Sequence, residues 1–565
     1  MMTAVSEALP SAPVEAAAPR RAVLALARVE AVRLLRHPLT VVATVFLVGF
    51  WASAWFTNEA NRYPVLQDVD RDSALGMMLL LGAAALIAGN LAVLRAHRDG
   101  TTSLDQVLVV PDSARTLAHL LALLPLAVLG AVLVVMRIGV LAILTPAAGS
   151  PNAFELATGP ATILLFGAVG VLLGRLTRSP VAAPLALLVL LASLVALPLL
   201  TNAGGGQWLQ PIVVSGETVF PLPAPAALMA RPAAAHVAYL LGLAGLVAAV
   251  ALLRAGARRP HVAIVGVVAF ACTAAGAVGQ LAPPGRAVVA ARTATMLHPS
   301  EHQTCQRRDR VNYCAFAGFT RWIPSWDTVV QAVLGQVPAA ALPEQLTVRQ
   351  RFVVLGPHGE LRPDAVATAW RADDATAGTP GAVSVSTRWG DSRAAVTLAA
   401  HVAYRIISGA AVGSGNAGGG DSGGSGNARG SGNAGGSGNA GGSGNAGGSG
   451  EAGGGGTTVC GGAGVLVVWL AGQVSPQAST GLRLLAAQAG GDRDGVSFDQ
   501  AEGMLGIAVP RPELDVAFRA LARPAADIAA RVRQSWSTLV ASGTTVQQAA
   551  QILGVEAPPA SEPCR

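Results

Sequence analysis

The sequence predicts a mainly α-helical protein. It is expected to contain a polytopic membrane helical bundle of six to seven spans and a mostly helical extracytoplasmic domain with minor β content. Of the 565 residues, 52% are apolar and only 13% are charged, and the mean hydropathy is +0.50. That composition is too apolar for an ordinary soluble protein. Up to residue 282 the chain repeats apolar runs of about 20 residues, the length that spans a ~30 Å hydrocarbon core.

The N-terminal region divides into two parts. Residues 1–19 are rich in Ala and Pro, lack the pattern of a signal peptide, and are predicted to be disordered. Residues 20–37 predict a basic amphipathic helix on the membrane surface, separated from the first span by Pro38. Its predicted apolar side consists of Val23, Leu24, Ala27, Ala31, Leu34 and Leu35. The alternative is a solvated extension of the first span.

Residues 39–282 form the predicted transmembrane domain. Its seven candidate spans are residues 39–56, 74–94, 117–136, 156–174, 181–200, 233–253 and 262–282. With the N-terminus in the cytoplasm, the cytoplasmic segments hold thirteen arginines and the short outer loops hold three. This asymmetry predicts a cytoplasmic N-terminus and, after an odd number of spans, an extracytoplasmic C-terminal domain.

The predicted spans carry few polar groups. Asn90 lies in the second span, and Arg137 follows the third, before a further apolar run that ends at Leu144. We interpret Arg137 as reaching the outer headgroups, with a role in a transport pathway as the alternative. No carboxylate lies deep in a predicted span, and this absence argues against an ion-coupled transporter. Gly170 and Gly174, four residues apart, are expected to permit close helix packing.

Residues 95–115 form the longest loop between two predicted spans. The loop contains three arginines, Asp99-Gly100-Thr101, and Pro111-Asp112-Ser113 before the next helix. It resembles the first cytoplasmic loop of permease subunits in the type-2 ABC exporter family. The turn at 174–180, a glycine followed by two arginines and a proline, is a second resemblance. Together they cover residues 20–255, whereas the seventh span departs from the six spans of that family.

The resemblance implies a transport subunit rather than an enzyme. In that family the loop rests on a separate cytoplasmic ATPase, and two permease subunits are expected to form a dimer in the lipid bilayer. The predicted coupling residues are Arg98, Asp99, Gly100, Thr101, Asp105 and Arg115. All 39 basic residues are arginine. Because a Walker A loop needs lysine, ATP hydrolysis would be performed by the partner. No cofactor and no nucleic-acid partner are predicted.

Residues 283–565 form the predicted extracytoplasmic part. A repeat of Ser-Gly-Asn-Ala-Gly-Gly at residues 413–456 predicts a flexible linker between a first part, 283–412, and a helical part, 457–565. Within the first part, 345–355 predicts a strand and 391–408 a helix. Five helices are predicted after the linker, at 459–472, 479–490, 512–521, 524–542 and 544–554. The tryptophans of both parts are expected in the core.

The cysteines support an oxidising compartment. Cys305, Cys314, Cys460 and Cys564 lie outside the spans, and an even number there predicts two disulfides. Cys305–Cys314 is the favoured pair, Cys460–Cys564 would join the ends of the last part, and free thiols are the alternative.

One catalytic pattern is also present. Residues 298–302 match the inverted zinc-protease motif H-x-x-E-H. Pro299 allows only the start of a helix and no third ligand is identified, so we interpret the segment as a surface loop.

The sequence thus predicts a permease subunit in the cell membrane of a high-GC bacterium. It would move an unknown substrate across the membrane with a separate ATPase. Two alternatives remain. One is a membrane-anchored extracytoplasmic binding or peptidase-like protein, and the other is an ATP-independent transporter.

Overall fold

The computed structural model describes residues 18–57, 62–100, 110–200, 209–211, 223–229, 231–353, 363–390, 392–409, 457–488, 495–500 and 505–559. The protein is 72% helix and 8% strand, which confirms a mainly helical fold with minor sheet. The chain divides into two compact units, Met1–Arg292 and Thr293–Arg565, here called unit 1 and unit 2.

Unit 1 is built from helices. In chain order they are α1 (Ala18–Leu35), α2 (Pro38–Thr57), α3 (Leu66–Met77), α4 (Ala83–Arg98), α5 (Asp112–Leu121), α6 (Leu123–Leu144), α7 (Ala153–Thr177), α8 (Ala182–Leu200), α9 (Ala226–Met229), α10 (Ala233–Arg254), α11 (Arg259–Leu281) and α12 (Arg286–Leu297). A π-helical turn, Met78–Gly82, joins α3 to α4 and makes them one continuous rod.

Six helical segments of the described chain are long and apolar enough to cross a membrane. They are Pro38–Phe56, Leu66–Arg98, Asp112–Leu144, Ala153–Thr177, Ala233–Arg254 and Pro260–Leu297. Six of the seven predicted spans therefore fall on such helices. The predicted fifth span corresponds to α8, whose described side chains form the shorter apolar stretch Ala182–Leu194. The segment at 66–98 is longer than predicted because polar turns of helix precede and follow its apolar run, and the segment at 112–144 is longer at both ends. The segment at 260–297 combines α11 with α12, which begins after a break at 282–285.

The interior of unit 1 is apolar and shared by several helices. Leu47, Met77, Leu81, Leu126 and Ile163, from five different elements, are fully buried in one cluster. The outward faces are also apolar: Phe46 on α2 and Val267 on α11 are 67% and 68% exposed. Apolar side chains on both the inner and outer faces of a helix are typical of a bundle surrounded by lipid.

Two helices of unit 1, α4 and α7, cross at backbone contact. An added Cβ on Gly170 would lie 2.1 Å from the Leu86 carbonyl oxygen, and one on Gly174 would lie 2.9 Å from Val93 Cβ. Facing them on α4, Gly89 has the Gly167 oxygen 3.0 Å from its own Cβ position. The expected close packing at Gly170 and Gly174 is therefore present, and only glycine permits it.

Unit 2 contains helices and two small sheets. Its elements are β1 (Gln303–Arg308), β2 (Val311–Phe316), α13 (Ile323–Leu334), β3 (Leu346–Arg351), α14 (Pro363–Thr376), β4 (Val383–Ser386), α15 (Ser392–Ser408), β5 (Thr457–Thr458), α16 (Gly461–Gln473), α17 (Pro476–Gln488), β6 (Val496–Gln500), β7 (Leu505–Val509), α18 (Arg511–Leu521), α19 (Ala525–Gln534), α20 (Trp536–Leu539) and α21 (Val546–Leu553). The strand orders are β1-β2-β3-β4 and β5-β7-β6.

The two sheets combine both strand directions. β1 and β2 form an antiparallel hairpin, whereas β2, β3 and β4 run parallel with helical crossovers between them. In the second sheet β7 pairs parallel with β5 and antiparallel with β6. The predicted strand at 345–355 is confirmed as β3, while the two hairpins were not predicted. The helix predicted at 524–542 is interrupted at Ser535 between α19 and α20.

The core of unit 2 is aromatic and also holds charges. Of the six tryptophans expected there, Trp322, Trp326, Trp370, Trp389 and Trp469 are buried and Trp536 is half-buried. Beside them, Asp374 accepts hydrogen bonds from Arg349 Nε at 3.0 Å and Arg351 Nη2 at 2.5 Å. The Arg351 guanidinium also lies 4.9 Å from the centre of the Trp370 ring. Two buried cations therefore depend on one carboxylate.

Candidate functional site

Four helical segments of unit 1 meet at one end of the bundle. We call this place the arginine-rich end and define it as residues 30–37 of α1 and its exit, 95–100, 112–119, and 175–178. It is organised by the packing of α1 against α5, in which Val23, Ala27 and Ala118 are buried together. α1 thus carries an apolar stripe as predicted, although Leu24, expected within it, is 63% exposed.

Glu30 is the central polar group of the arginine-rich end. Only 3% of the residue is exposed. Its carboxylate accepts from Arg33 Nη1 at 2.7 Å, and from Arg95 Nη1 at 2.8 and 3.0 Å. His119 Nδ1 on α5 lies 3.9 Å from the other side of the same carboxylate. A buried carboxylate needs such partners, so Glu30 joins α1 to α4 and brings both beside α5.

The start of α5 is tied to α7. Pro111 precedes the helix with an extended backbone, and Asp112 occupies the first turn, where the helix dipole favours a negative charge. Asp112 Oδ1 lies 3.3 Å from Arg115 Nη2 and 4.0 Å from Arg175 Nη1. Arg175 Nη2 also donates to the Asp112 carbonyl oxygen at 3.4 Å. α5 is therefore a short helix that is held at its first turn by ion pairs and along its other face by apolar packing against α1.

The end of α4 is exposed and stopped by glycine. Arg98 is the last residue of α4, and Asp99 caps its C-terminus by donating its backbone N–H to the Arg95 carbonyl. Gly100 has a φ of +68°, and no atom lies within 4 Å of an added Cβ. This left-handed residue ends the helix in the way that glycine does best. The chain therefore leaves α4 in a sharp turn at Gly100.

The six predicted coupling residues are distributed as follows. Arg98, Asp99 and Gly100 lie together at the end of α4, Arg115 lies on α5, and Thr101 and Asp105 lie outside the described residues. Asp99 lies at the C-terminus of α4. The roles of these residues in coupling stay predictions.

Sequence reasoning missed the residues that hold this end together. Glu30, Arg95 and Arg175 were counted only as charged positions, and His119 was not considered. One signal was available: Glu30 is the only acidic residue among residues 20–37, a segment with five arginines. An isolated acid within a basic helix indicates a specific partner.

A second polar cluster lies around α3, away from the arginine-rich end. The helix that contains the second span begins at Leu66, so it includes Asp68 and Asp70. Asp70 is fully buried, and Arg231 Nη1 lies 3.6 Å from it. Arg231 Nη2 also lies 3.3 Å from Asp68. Both carboxylates lie in the first five residues of this helix, before the predicted span at 74–94.

Arg137 has two partners within the protein, and its reach to the headgroups stays a prediction. Its Nη1 donates to Ser73 Oγ at 2.8 Å, and its guanidinium lies 4.8 Å from the centre of the Trp51 ring. The side chain is thus held by groups of the protein on α2 and α3. A cation over an indole face gains electrostatic energy that partly offsets its desolvation.

In unit 2 the first predicted disulfide is present. Cys305 and Cys314 are directly opposite each other on β1 and β2, and they form a disulfide. Cys460 is also disulfide-bonded. Its predicted partner, Cys564, lies outside the described residues, so that pairing stays a prediction.

The zinc-protease pattern does not form a metal site in the described chain. His298 and His302 are exposed at the two ends of the short 3₁₀ segment Pro299–His302. Among the described residues, no three His, Cys, Asp or Glu side chains are placed to hold a metal ion.

No protein-family model, curated protein or solved structure matches the chain. Its function therefore has to be inferred from its own residues and geometry.

Proposed function

We propose that the chain is the transmembrane permease subunit of an ABC transporter. In this proposal it works as a dimer, with a separate P-loop ATPase bound at the arginine-rich end. The dimer lies in the cell membrane of a high-GC bacterium, and unit 2 lies outside the cytoplasm. The direction of transport and the substrate are left open.

The observation that carries the proposal is the way α5 is held. α5 is a short amphipathic helix at the start of a membrane-length segment, Asp112–Leu144, and it packs on α1. Asp112 connects it to Arg175 on α7, and His119 faces the Glu30 carboxylate that binds α4. A partner that pushes on α5 therefore acts on three other helices at once. Packed helices joined by ion pairs carry coupling between distant sites.

Three further observations support the partner and the orientation. The chain has no lysine with which a Walker A loop could bind phosphates, so an ATP-driven process needs a second protein. The excess of arginine at one set of loops supports a cytoplasmic location for the arginine-rich end. The Cys305–Cys314 disulfide supports an oxidising compartment for unit 2.

The test replaces Gly100 by Val and Asp105 by Arg in one chain. Valine at a φ of +68° is strained and β-branched, so the turn after α4 must change, while the second substitution reverses a charge. Affinity purification of the tagged chain from its native membrane, with the retained subunits identified by mass spectrometry, measures ATPase association. The double variant is expected to retain at least tenfold less ATPase.

A matched control is available in the chain. Gly256 also has a positive φ, +77°, has no atom within 4 Å of an added Cβ, and lies in the connection between α10 and α11. Gly256→Val is expected to retain the ATPase. If the wild-type chain retains no ATPase, or the double variant retains it fully and still couples, the proposal fails.

The cluster around α3 favours a second candidate, an ATP-independent transporter. Asp70 is fully buried on the helix that contains the second span, and Arg231 lies 3.6 Å away. Buried ionisable groups on membrane helices are found on ion or substrate pathways. On this alternative the chain purifies without an ATPase. Reconstituted alone in vesicles, it would then move protons or sodium ions, and Asp70→Asn would abolish that flux.

A further inference from the structure

Unit 1 contains a cavity at the arginine-rich end, and Arg98 and Asp99, two of the predicted coupling residues, lie in its lining. It lies between the end of α1 and the last two turns of α4, and its volume is about 280 Å³. Basic residues, namely Arg33, His37, Arg95 and Arg98, line one part, and the apolar side chains of Leu34 and Leu91 line another. Its size is just below the range of small-molecule pockets, roughly 300–1,000 Å³. We infer that this cavity binds the phosphate headgroup of an anionic phospholipid.

The charge of the cavity favours an anion. Three guanidinium groups line it, against one lining carboxylate, Asp99, and the buried carboxylate of Glu30 behind two of them. The fixed groups therefore sum to one positive charge when His37 is neutral. Burial, followed by the nearby Arg95 charge, lowers the pKa of His37, so it is neutral at physiological pH. One net positive charge matches the single negative charge of a phosphodiester.

The hydrogen-bond donors are only partly used. Glu30 takes one nitrogen each of Arg33 and Arg95, and each guanidinium has five N–H groups. Within the described residues, Arg98 makes no hydrogen bond or ion pair. The His37 ring accepts from Leu39 N–H through Nδ1, at 3.3 Å, which leaves its Nε2 as a donor. Several donors thus remain for phosphate oxygens, the acceptors that arginine binds best.

The apolar part of the cavity distinguishes a lipid from a free phosphate. A free phosphate is hydrophilic on every side, so it gains no favourable contact with the apolar side chains of Leu34 and Leu91. A phospholipid carries apolar carbon directly below its phosphate. α2 begins at Pro38, one residue after His37, and its exposed Val42 and Val45 present an apolar surface to the bilayer. Basic pockets between membrane helices bind anionic headgroups in this way.

The experiment uses the delipidated full chain in neutral detergent, without any ATPase. Phosphatidylglycerol, phosphatidylcholine or inorganic phosphate is added, and bound molecules are counted by native mass spectrometry. Phosphatidylglycerol is expected to bind at least fivefold better than phosphatidylcholine. Arg98→Gln, which removes an exposed side chain, is expected to weaken phosphatidylglycerol binding about fivefold. Arg254→Gln, a control at the exposed end of α10, should bind like the wild type.

Three results would overturn the inference. They are equal binding of the two lipids, unchanged phosphatidylglycerol binding in Arg98→Gln, and full displacement of phosphatidylglycerol by inorganic phosphate at equal concentration. If Arg98→Gln loses the ATPase but still binds phosphatidylglycerol normally, Arg98 contacts the protein partner and the lipid assignment is wrong. Because the lipid assay contains no ATPase, its result is separate from that of the proposed function.

Discussion

Replacing Gly170 by alanine should loosen the crossing between α4 and α7. The added methyl carbon would lie 2.1 Å from the Leu86 carbonyl oxygen and 3.1 Å from the Asn90 nitrogen, both backbone atoms. Ordinary contact begins at 3.4 Å, so the two helices must separate locally by about 3.4 − 2.1 = 1.3 Å. No side-chain rotation can relieve the clash, since the obstructing atoms belong to the backbone of a helix.

The cost follows from the packing around this crossing. A gap of ~0.5–1 Å already forfeits a quarter to a half of the dispersion energy of the atoms that line it. Moving α4 outward would also stretch the hydrogen bond from Asn90 Nδ2 to the Ser179 carbonyl, now 3.2 Å long. Overpacked positions of this kind lose about 1–3 kcal/mol, and we expect Gly170→Ala to fall in the upper half of that range.

Thermal unfolding of the purified full chain in detergent measures the effect. Gly139→Ala on α6 is the matched control, because nothing lies within 4 Å of its added Cβ and the change only removes a flexible residue from a helix. Gly170→Ala should melt several degrees below the wild type, and Gly139→Ala should melt at or above it. Equal melting temperatures for the two variants would refute the reasoning.

Three other predictions concern unit 2 and the orientation. Burial lowers the pKa of His401 to about 4 from 6.5. Between pH 4 and pH 6.5 the unfolded chain therefore binds more protons at His401 than the folded chain does. The stability of the folded chain is unaffected by this group above pH 6.5, and up to about 3 kcal/mol of it is lost as the pH falls toward 4. Unfolding followed by tryptophan fluorescence at pH 5 and 7.5 should show this loss in the wild type and a smaller one in His401→Gln; equal losses would contradict it. Asp374→Ala should destabilise the chain by about 3–5 kcal/mol, because it leaves two buried arginines unpaired. The exposed-pair control Asp515→Ala should cost less than about 1 kcal/mol, and similar values for the two would contradict the prediction. Single cysteines placed at 95–115 and near Asp492, in a cysteine-free chain, should label from opposite sides of the membrane with an impermeant reagent, and labelling of both in intact cells would exclude the proposed topology.

Two kinds of feature could be predicted from the sequence. They are the membrane-length helices, which depend on the length of an apolar run, and the positions that require glycine. Six apolar runs coincide with membrane-length helices because each run alone satisfies its backbone hydrogen bonds in lipid. Gly170 and Gly174 were recognisable because their spacing places both on one helix face. Gly100 was recognisable as a turn because it follows a charged helix end.

The features that could not be predicted depend on distant partners. Glu30 meets Arg95 across 65 positions of sequence, and nothing local to either residue specifies the pair. Arg137 finds Ser73 and Trp51 in the same way. Hairpin β6–β7 was not predicted because each of its strands has only five residues. An alternation of apolar and polar residues over so few positions is hard to distinguish from the pattern of the neighbouring helices.

The repeat at residues 413–456 divides the sequence of unit 2 into two segments, and the packing of these segments determines whether they must be covalently linked. α15, before that repeat, packs against α16 and α17 after it, and His401 Nε2 donates to the Phe498 carbonyl at 2.9 Å. The Ser392 carbonyl lies 2.3 Å from the Cβ position of Gly481, so the two segments interlock at backbone distance. Since one interior is assembled from both sides of the repeat, the gene should tolerate being split there. The two half-proteins would then complement each other as fragments, losing only the effective concentration that a covalent connection supplies.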